Sequence, residues 1–370
     1  MKVAWVIRPA AGGIKQHLNY LRRGLSSCCE IIVCGPQELE EWAEGCPFYP
    51  IEITDGIEPK QDLKAVWQLT KVLRAVKPEL IHIHGLKSVM IAVPAAKLSG
   101  VKKTLFTAHN MLPQPQTRWY RATHGLVNRT LLRALDRIIA VSDTVGSELA
   151  EFVPYNRIVT IRNGVDYHRF EGYSRREALA LMGLDSKHFI IGAVARLIAE
   201  KGIACLLKAA VLLRNVLPQM RIVIVGDGPM RHQLELYSQA LQLEPYVKFL
   251  GFRSDVPALM AGWDLFVLPS LSEGLSVSVL EAMAAKLPVV VSDLPSTREV
   301  VEQGKGGYFF APDNAPGLAA AVLKIAKDQS KKRRMGEHNY QSVIRSFGVD
   351  HMIQATKLQY QQLIEEGTVW

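Results

Sequence analysis

The sequence predicts an α/β protein built on two doubly wound parallel sheets. Short apolar runs alternate with amphipathic stretches of helical length, the β-α-β rhythm of a sheet covered on both faces. That rhythm occurs twice, on either side of the turn signal Asn163-Gly164. The chain has 370 residues, 48% of them hydrophobic, which suits two domains with a core each.

In the first series, strands are expected over 2–7, 31–34, 80–84, 103–107 and 137–141, and helices over 14–25, 62–76 and 117–135. The stretch 38–58 reads as irregular. In the second series, strands are expected over 189–194, 221–225, 247–250, 265–268 and 288–291. Helices over 203–217, 230–241, 256–261 and 277–285 alternate with them. Residues 174–184 read as a helical connector and 350–366 as a polar C-terminal helix. The expected domains are 1–166, 167–348, and a last segment 349–370 that returns toward the first domain. No repeat of solenoid period occurs.

Composition excludes several classes. Gly (27) and Pro (19) are too few and too scattered for a low-complexity chain. No apolar run reaches the roughly 18 residues of a membrane span, and the first strand lacks a signal-peptide layout. A cytoplasmic protein is expected. The five cysteines (28, 29, 34, 46 and 205) include no C-x-x-C pair, so neither a disulfide framework nor a zinc site is indicated.

The formal charge is +9, and its placement is uneven. Between Lys60 and Arg137 stand 14 Lys and Arg against three acids, a local net charge of +11. Arg129, Arg133 and Arg137 recur every four residues, after Arg118-Trp119-Tyr120-Arg121. A basic, aromatic helix of this kind suits an anionic membrane surface, and a plain solvated face is the competing reading. No nucleic-acid-binding motif accompanies the charge, so nucleic acid is not expected as a partner.

The residues with chemical potential sit just past strand ends, where open α/β sheets bind ligands. Glu273 follows the strand 265–268, and Glu281 lies seven residues on, about one turn into the next helix. Ser276 is the expected N-cap there, leaving amide N–H groups free for a phosphate. The two carboxylates suit hydroxyls of a sugar and a ribose. Arg196 and Lys201 follow the strand 189–194 and suit a diphosphate. In the first half, Gly12-Gly13 opens a helix where a ligand can approach the backbone. His109, with Asn110 after it, follows the strand 103–107. His82 and His84 are read as facing opposite sides of their strand, with His84, at the strand end, the better ligand candidate.

Several chemistries are absent. Gly226-Asp227-Gly228 begins a dinucleotide fingerprint, but Arg231 stands at its third glycine, against a dehydrogenase. No D-x-D pair, P-loop or G-x-S-x-G is present. Neither a metal nor a cofactor is expected.

Taken together, these residues resemble a retaining glycosyltransferase of family 4, also called group 1, with the GT-B fold. The resemblance is densest between Val194 and Asp313, in Ala-Arg-Leu…Lys-Gly, Val-Gly-Asp-Gly-Pro, Asp-Leu-Phe-Val-Leu-Pro-Ser, Glu-Gly-Leu and Leu-Glu-Ala-Met-Ala. It implies two Rossmann-like domains facing each other across a cleft. It also implies that Arg196 and Lys201 bind the donor diphosphate, Glu281 the ribose and Glu273 the transferred sugar. His109 contacts that sugar, Gly251, Phe252 and Arg253 hold the base, and Gly274, Leu275 and Ser276 offer backbone amides. Gly12 and Gly13 lie against donor or acceptor, with His84 and Asn110 on the acceptor side. The implied reaction moves a sugar from a nucleotide-sugar donor, most commonly UDP-linked, to a glycan or lipid-linked acceptor in cell-surface polysaccharide or glycolipid synthesis. The donor is a substrate, and a peripheral seat on the inner face of the membrane goes with the basic segment 60–137. Trp263 stands where a small residue is common in the family, which is read as a packing variation. Two rival readings share the fold: a nucleotide-sugar epimerase and a non-catalytic nucleotide-sugar-binding subunit.

Overall fold

In the computed structural model the described residues are 1–9, 12–54, 56, 58–111 and 129–366. They form two compact units, one of Met1–Asn163 with Asp350–Trp370, the other of Gly164–Val349.

The first unit holds a seven-stranded sheet in the order β3-β2-β1-β4-β5-β6-β7, every neighbouring pair parallel. Its strands are β1 (Lys2–Ile7), β2 (Glu30–Gly35), β3 (Phe48–Pro50), β4 (Leu80–His84), β5 (Thr104–Ala108), β6 (Arg137–Ala140) and β7 (Ile158–Thr160). Helices α1 (Gly13–Leu25), α2 (Pro59–Val76), α3 (Leu86–Ser99) and α4 (Asp143–Leu149) provide crossovers. The direction in which strands are added reverses between β1 and β4, so the switch-point crevice opens past Ile7 and His84. Strands β1, β4 and β5 are buried almost throughout, as a sheet covered on both faces requires.

The second unit has six parallel strands in the order β10-β9-β8-β11-β12-β13. They are β8 (Phe189–Val194), β9 (Met220–Val225), β10 (Val247–Gly251), β11 (Leu265–Leu268), β12 (Val289–Ser292) and β13 (Gly307–Phe310). Its helices are α5 (Arg175–Met182), α6 (Ile203–Leu213), α7 (Arg231–Ala240), α8 (Val256–Met260), α9 (Val277–Ala284), α10 (Pro295–Arg298), α11 (Ala315–Ala326) and α12 (Gln329–Ser346). A last helix, α13 (Val349–Glu365), packs on the first unit. Here the switch point lies between β8 and β11.

Local chemistry sets the helix starts. The Ser174 hydroxyl donates to the Glu177 carboxylate, and its oxygen caps α5 by accepting from the Glu177 N–H. Asn314 and Asp328 cap α11 and α12 in the same way. Trp263 fills the space above Gly192, where a Cβ would come within 2.0 Å of the indole. A strand glycine thus makes room for the large ring.

One buried carboxylate ties the second unit together. Asp264, at the start of β11, accepts from the Ile190 N–H at 2.8 Å and pairs with Arg175 at 2.9 Å and with Lys332 of α12. It is 5% exposed, and its two cations keep that burial affordable.

Candidate active site

At the switch point of the second unit, the β8 and β11 loops interlock. The turn at Ala199–Lys201 closes on Gly202, which has φ +62°, and a Cβ there would lie 2.0 Å from the Pro269 carbonyl. The Leu271 N–H donates to the Glu200 carbonyl at 2.7 Å. This contact brings Lys201 against Glu273, with Nζ 2.6 Å from Oε1. The same carboxylate oxygen accepts from Ser270 Oγ at 2.6 Å, and the Glu273 carbonyl accepts from Ser296 Oγ at 2.9 Å. Glu273 is buried and pinned at both ends. Arg196, in the same β8 loop, is exposed and makes no side-chain hydrogen bond or ion pair among the described residues. A held carboxylate, a paired ammonium and a free guanidinium therefore share one crevice mouth.

Glu281 sits in α9, downstream of Glu273. Burial pushes its carboxyl up to about 7, opposed by the Arg169 guanidinium. At neutral pH it can both donate and accept a hydrogen bond. Ser276 occupies the N-cap position of α9 but caps no N–H with its side chain; its hydroxyl pairs with Ser278 at 3.1 Å instead. The Gly226–Gly228 turn is a packing element. A Cβ on either glycine would strike the Ala195 or Leu197 carbonyl, at 1.9 and 2.5 Å. Gly251 ends β10 with φ +68°, Phe252 beside it is exposed, and Arg253 is held by Asp255 at 2.5–2.7 Å.

The switch point of the first unit has a different character. His84 Nδ1 lies 3.3 Å from His109 Nε2, both rings buried. His17 of α1 joins them, its ring centroid 4.8 Å from that of His109, and its Nδ1 donates to Asn163 Oδ1 at 3.0 Å. His82 lies with its centroid 4.0 Å from that of His84. The expectation that His82 and His84 face opposite sides is overturned. Residues two apart on a strand share a face, because the pleat has period two. Burial pulls His17 down to about 4, and burial first, then the neighbouring histidines, pulls His82, His84 and His109 well below the usual histidine range. The cluster is neutral at physiological pH. His84 and His109 share a hydrogen bond, His17 bonds Asn163 and His82 bonds hydroxyls, while His17 Nε2 and His84 Nε2 are buried without a hydrogen-bond partner among the described residues. No metal-binding group of three or more ligands occurs among the described residues. Gly12, with φ +57°, caps α1 with open space at its Cβ, and Asn110 is exposed beside His109.

The structure thus brings together Lys201 with Glu273, and His84 with His109. Sequence reasoning missed Ser270, Ser296, His17 and Tyr360. His17 stands four residues after Gly13, so helical spacing could have placed it above the same crevice; Ser296 and Tyr360 arrive through tertiary packing alone.

Of the three arginines expected on one basic helix face, Arg129 is exposed, Arg133 precedes β6 and Arg137 opens that strand. Arg137 bonds Gln359, Gln362 and Glu366 of α13, and Arg133 Nε donates to the Phe152 carbonyl. Arg118, Trp119, Tyr120 and Arg121 lie outside the described residues, as does most of the helix expected over 117–135. On α2 and α3, by contrast, Leu63 (71% exposed), Trp67 (59%) and Leu98 (57%) stand among exposed Lys60, Lys64, Lys71 and Arg74. No helix among the described residues is long and apolar enough to cross a membrane.

Two parallel α/β sheets, each with polar or charged side chains gathered at its switch point, suit a protein of the group-transfer class. The family model described as Glycosyltransferase Family 4 matches residues 11–169, and the model described as Glycosyl transferases group 1 matches 175–342. The chain belongs to the family 4, group 1, glycosyltransferases and has the GT-B fold. It is 26% identical over 292 residues to the UDP-Gal:alpha-D-GlcNAc-diphosphoundecaprenol alpha-1,3-galactosyltransferase of Escherichia coli, covering 76% of this chain and 75% of that one. To the putative glycosyltransferase EpsD of Bacillus subtilis it is 28% identical over 297 residues, 77% of each chain. Among solved structures, Anabaena Alr3699/HepE in complex with UDP-glucose superposes with a TM-score of 0.87 at 22% identity, covering 98% of this chain and all of that one.

Proposed function

We propose that this glycosyltransferase uses a UDP-sugar and transfers the sugar, with retention, to a glycan or lipid-linked acceptor of cell-surface polysaccharide or glycolipid synthesis. One observation carries the reading: the Lys201–Glu273–Ser270 cluster beside the unpaired Arg196 at the β8/β11 switch point. The bond from the sugar C1 to phosphate breaks, the acceptor oxygen bonds C1, and its proton passes to the departing phosphate oxygen. Arg196 and Lys201 offset the charge that grows on the diphosphate, a role of fixed cations at a developing anion. Glu273 accepts from hydroxyls of the transferred sugar, and Glu281 from the ribose. Gly251, Phe252 and Arg253 hold the base, and the amides of Gly274 to Ser276 complete the donor site. His109 meets a sugar hydroxyl, Gly12 and Gly13 lie against the donor, and His84 and Asn110 are on the acceptor side. The Escherichia coli relative, a UDP-Gal:alpha-D-GlcNAc-diphosphoundecaprenol galactosyltransferase, and the UDP-glucose complex of the Anabaena protein support this choice of donor and acceptor.

The same proposal places the enzyme in the cytoplasm, at the inner face of an anionic membrane where lipid-linked acceptors reside. The exposed Leu63, Trp67 and Leu98 with their lysines support that surface, since aromatic and basic groups together suit an interfacial seat.

Thermal denaturation against a panel of nucleoside diphosphates tests the donor assignment. UDP raises the melting temperature of the wild type by mass action, and Arg196→Ala loses most of that shift. A folded protein that responds to none of the panel overturns the donor site.

A further inference from the structure

The histidine cluster of the first unit has a feature that the transfer reaction does not by itself require. Its deepest member, His82, is wired to the last helix of the chain. Trp5 Nε1 lies 3.0 Å from Tyr360 Oη, Tyr360 Oη lies 2.6 Å from His82 Nδ1, and His82 Nε2 lies 2.7 Å from Thr107 Oγ1. All four groups are buried.

Donor and acceptor chemistry gives this chain one direction. An indole N–H only donates, so the Tyr360 oxygen accepts from Trp5. The phenol has a single proton, and among the described residues His82 Nδ1 is the one acceptor in hydrogen-bond contact with it. A buried O–H left unpaired is costly, so that proton points at Nδ1. His82 Nδ1 is then the bare nitrogen, Nε2 carries the hydrogen, and Nε2–H donates to Thr107. The indole, phenol, imidazole and hydroxyl are thereby aligned.

We propose that Tyr360 is a positioning residue for the histidine cluster. By donating to His82 Nδ1 it fixes that ring as the Nε2–H tautomer and occupies the lone pair a proton would take. This inference rests on the reading of His109 as a substrate contact.

The consequence reaches His109 through packed rings. The His82 ring lies 4.0 Å from that of His84, tilted by 44°, and His84 shares a hydrogen bond with His109. A charge on His82 would oppose that pair at short range. The ionisable groups around it are His17 from α1, Arg8 past β1, His84 and His109 at the ends of β4 and β5, and Tyr360 from α13, with Cys28 and Cys29 behind the phenol. No carboxylate figures among them, so nothing here would compensate a protonated His82. Burial and the neighbouring rings act in the same direction, lowering its basicity. Neutral imidazoles suit the hydroxyls of a sugar, because each can donate through one nitrogen and accept through the other.

Two measurements on the full-length chain test this. The first needs no turnover: nitrogen-15 NMR of the histidine side chains, assigned with His82→Asn. His82 is expected to show a bare Nδ1 and a protonated Nε2, unchanged from pH 8 to below 6. A proton on Nδ1 in the wild type overturns the proposal outright. The second is the pH profile of UDP-glucose hydrolysis in the wild type and Tyr360→Phe. Removing the phenol frees the Nδ1 lone pair and makes His82 more basic. The acid limb therefore moves up by about one pH unit, the equivalent of one lost hydrogen bond. A variant that only melts earlier, with tautomer and acid limb unchanged, also overturns the proposal. If Tyr360→Phe does not fold, the wild-type spectrum still decides. If neither protein hydrolyses UDP-glucose while His82 keeps its tautomer, the donor assignment fails and the tautomer assignment stands.

Discussion

The two switch points place opposite electrostatics at equivalent positions of two similar sheets. In the second unit, the crevice past β8 and β11 carries formal charge: Arg196 free, Lys201 paired to Glu273, and Glu281 near its midpoint at neutral pH. In the first, the crevice past β1 and β4 is lined by imidazoles held neutral by burial. A charged, partly open site suits a diphosphate, whose leaving charge needs fixed cations. A neutral, buried site suits hydroxyls. One architecture thus carries two different site chemistries on its strand ends, loops and adjoining helices, as expected when function resides in sites grafted on folds.

That contrast can be broken experimentally. The largest effect is expected from Asp264→Ala, which strips the buried carboxylate from Arg175, Lys332 and the Ile190 N–H. The mostly buried Lys332 ammonium and the Ile190 N–H then lose their acceptor, while the part-exposed Arg175 turns to water, at a cost of about 3 kcal/mol read by chemical denaturation. Next comes Arg196→Ala, with a loss of about 10²-fold in kcat/KM and little change in melting temperature. Wild-type turnover in that variant would remove the charged site from the argument.

The pH dependence separates the units more finely. Glu281 has a raised folded value, so its contribution to stability is full below the ordinary value of 4.5 and is lost as pH rises toward about 7. Glu281→Gln should therefore melt higher than wild type at pH 8, by about 1–3 kcal/mol, and match it near pH 4. His17 has a depressed value, so its contribution is full above 6.5 and is lost as pH falls toward about 4. Hydrogen exchange at pH 5 against pH 7.5 should accordingly show β1, β4 and α1 loosening on acidification while α9 tightens. Parallel behaviour in both units would contradict the contrast. The smallest effect concerns Trp67→Ser, which should weaken sedimentation with anionic liposomes several-fold and leave the UDP response intact.

Much of this was legible in the chain. Apolar runs such as Phe189–Val194 and Leu265–Leu268 are buried strands, and the strand-end residues Lys201 and Glu273 meet in an ion pair. Short edge strands escaped notice. Phe48–Pro50 and Ile158–Thr160 have three residues each, too few for a periodic signal, and pair at the two sheet edges. Gly307–Phe310 was hidden by the glycines before it. The helix 203–217 ends early, at Leu213, although apolar residues continue to Leu217. Partners distant in sequence were the least visible: nothing local links Trp5 to Tyr360, 355 residues apart. Such contacts follow from topology, which local pattern does not encode.

That separation also bears on the order in which the protein is made. Synthesis proceeds from the N-terminus, and domains tend to fold as units while the chain emerges. The second unit, Gly164–Val349, is contiguous and can close as soon as it clears the ribosome. The first unit begins earlier yet finishes later, since the indole of β1 meets Tyr360 only after the whole second unit has been made. Until then the four histidines lack their α13 cover. The nascent first unit is the segment on which a chaperone would have the longest time to act.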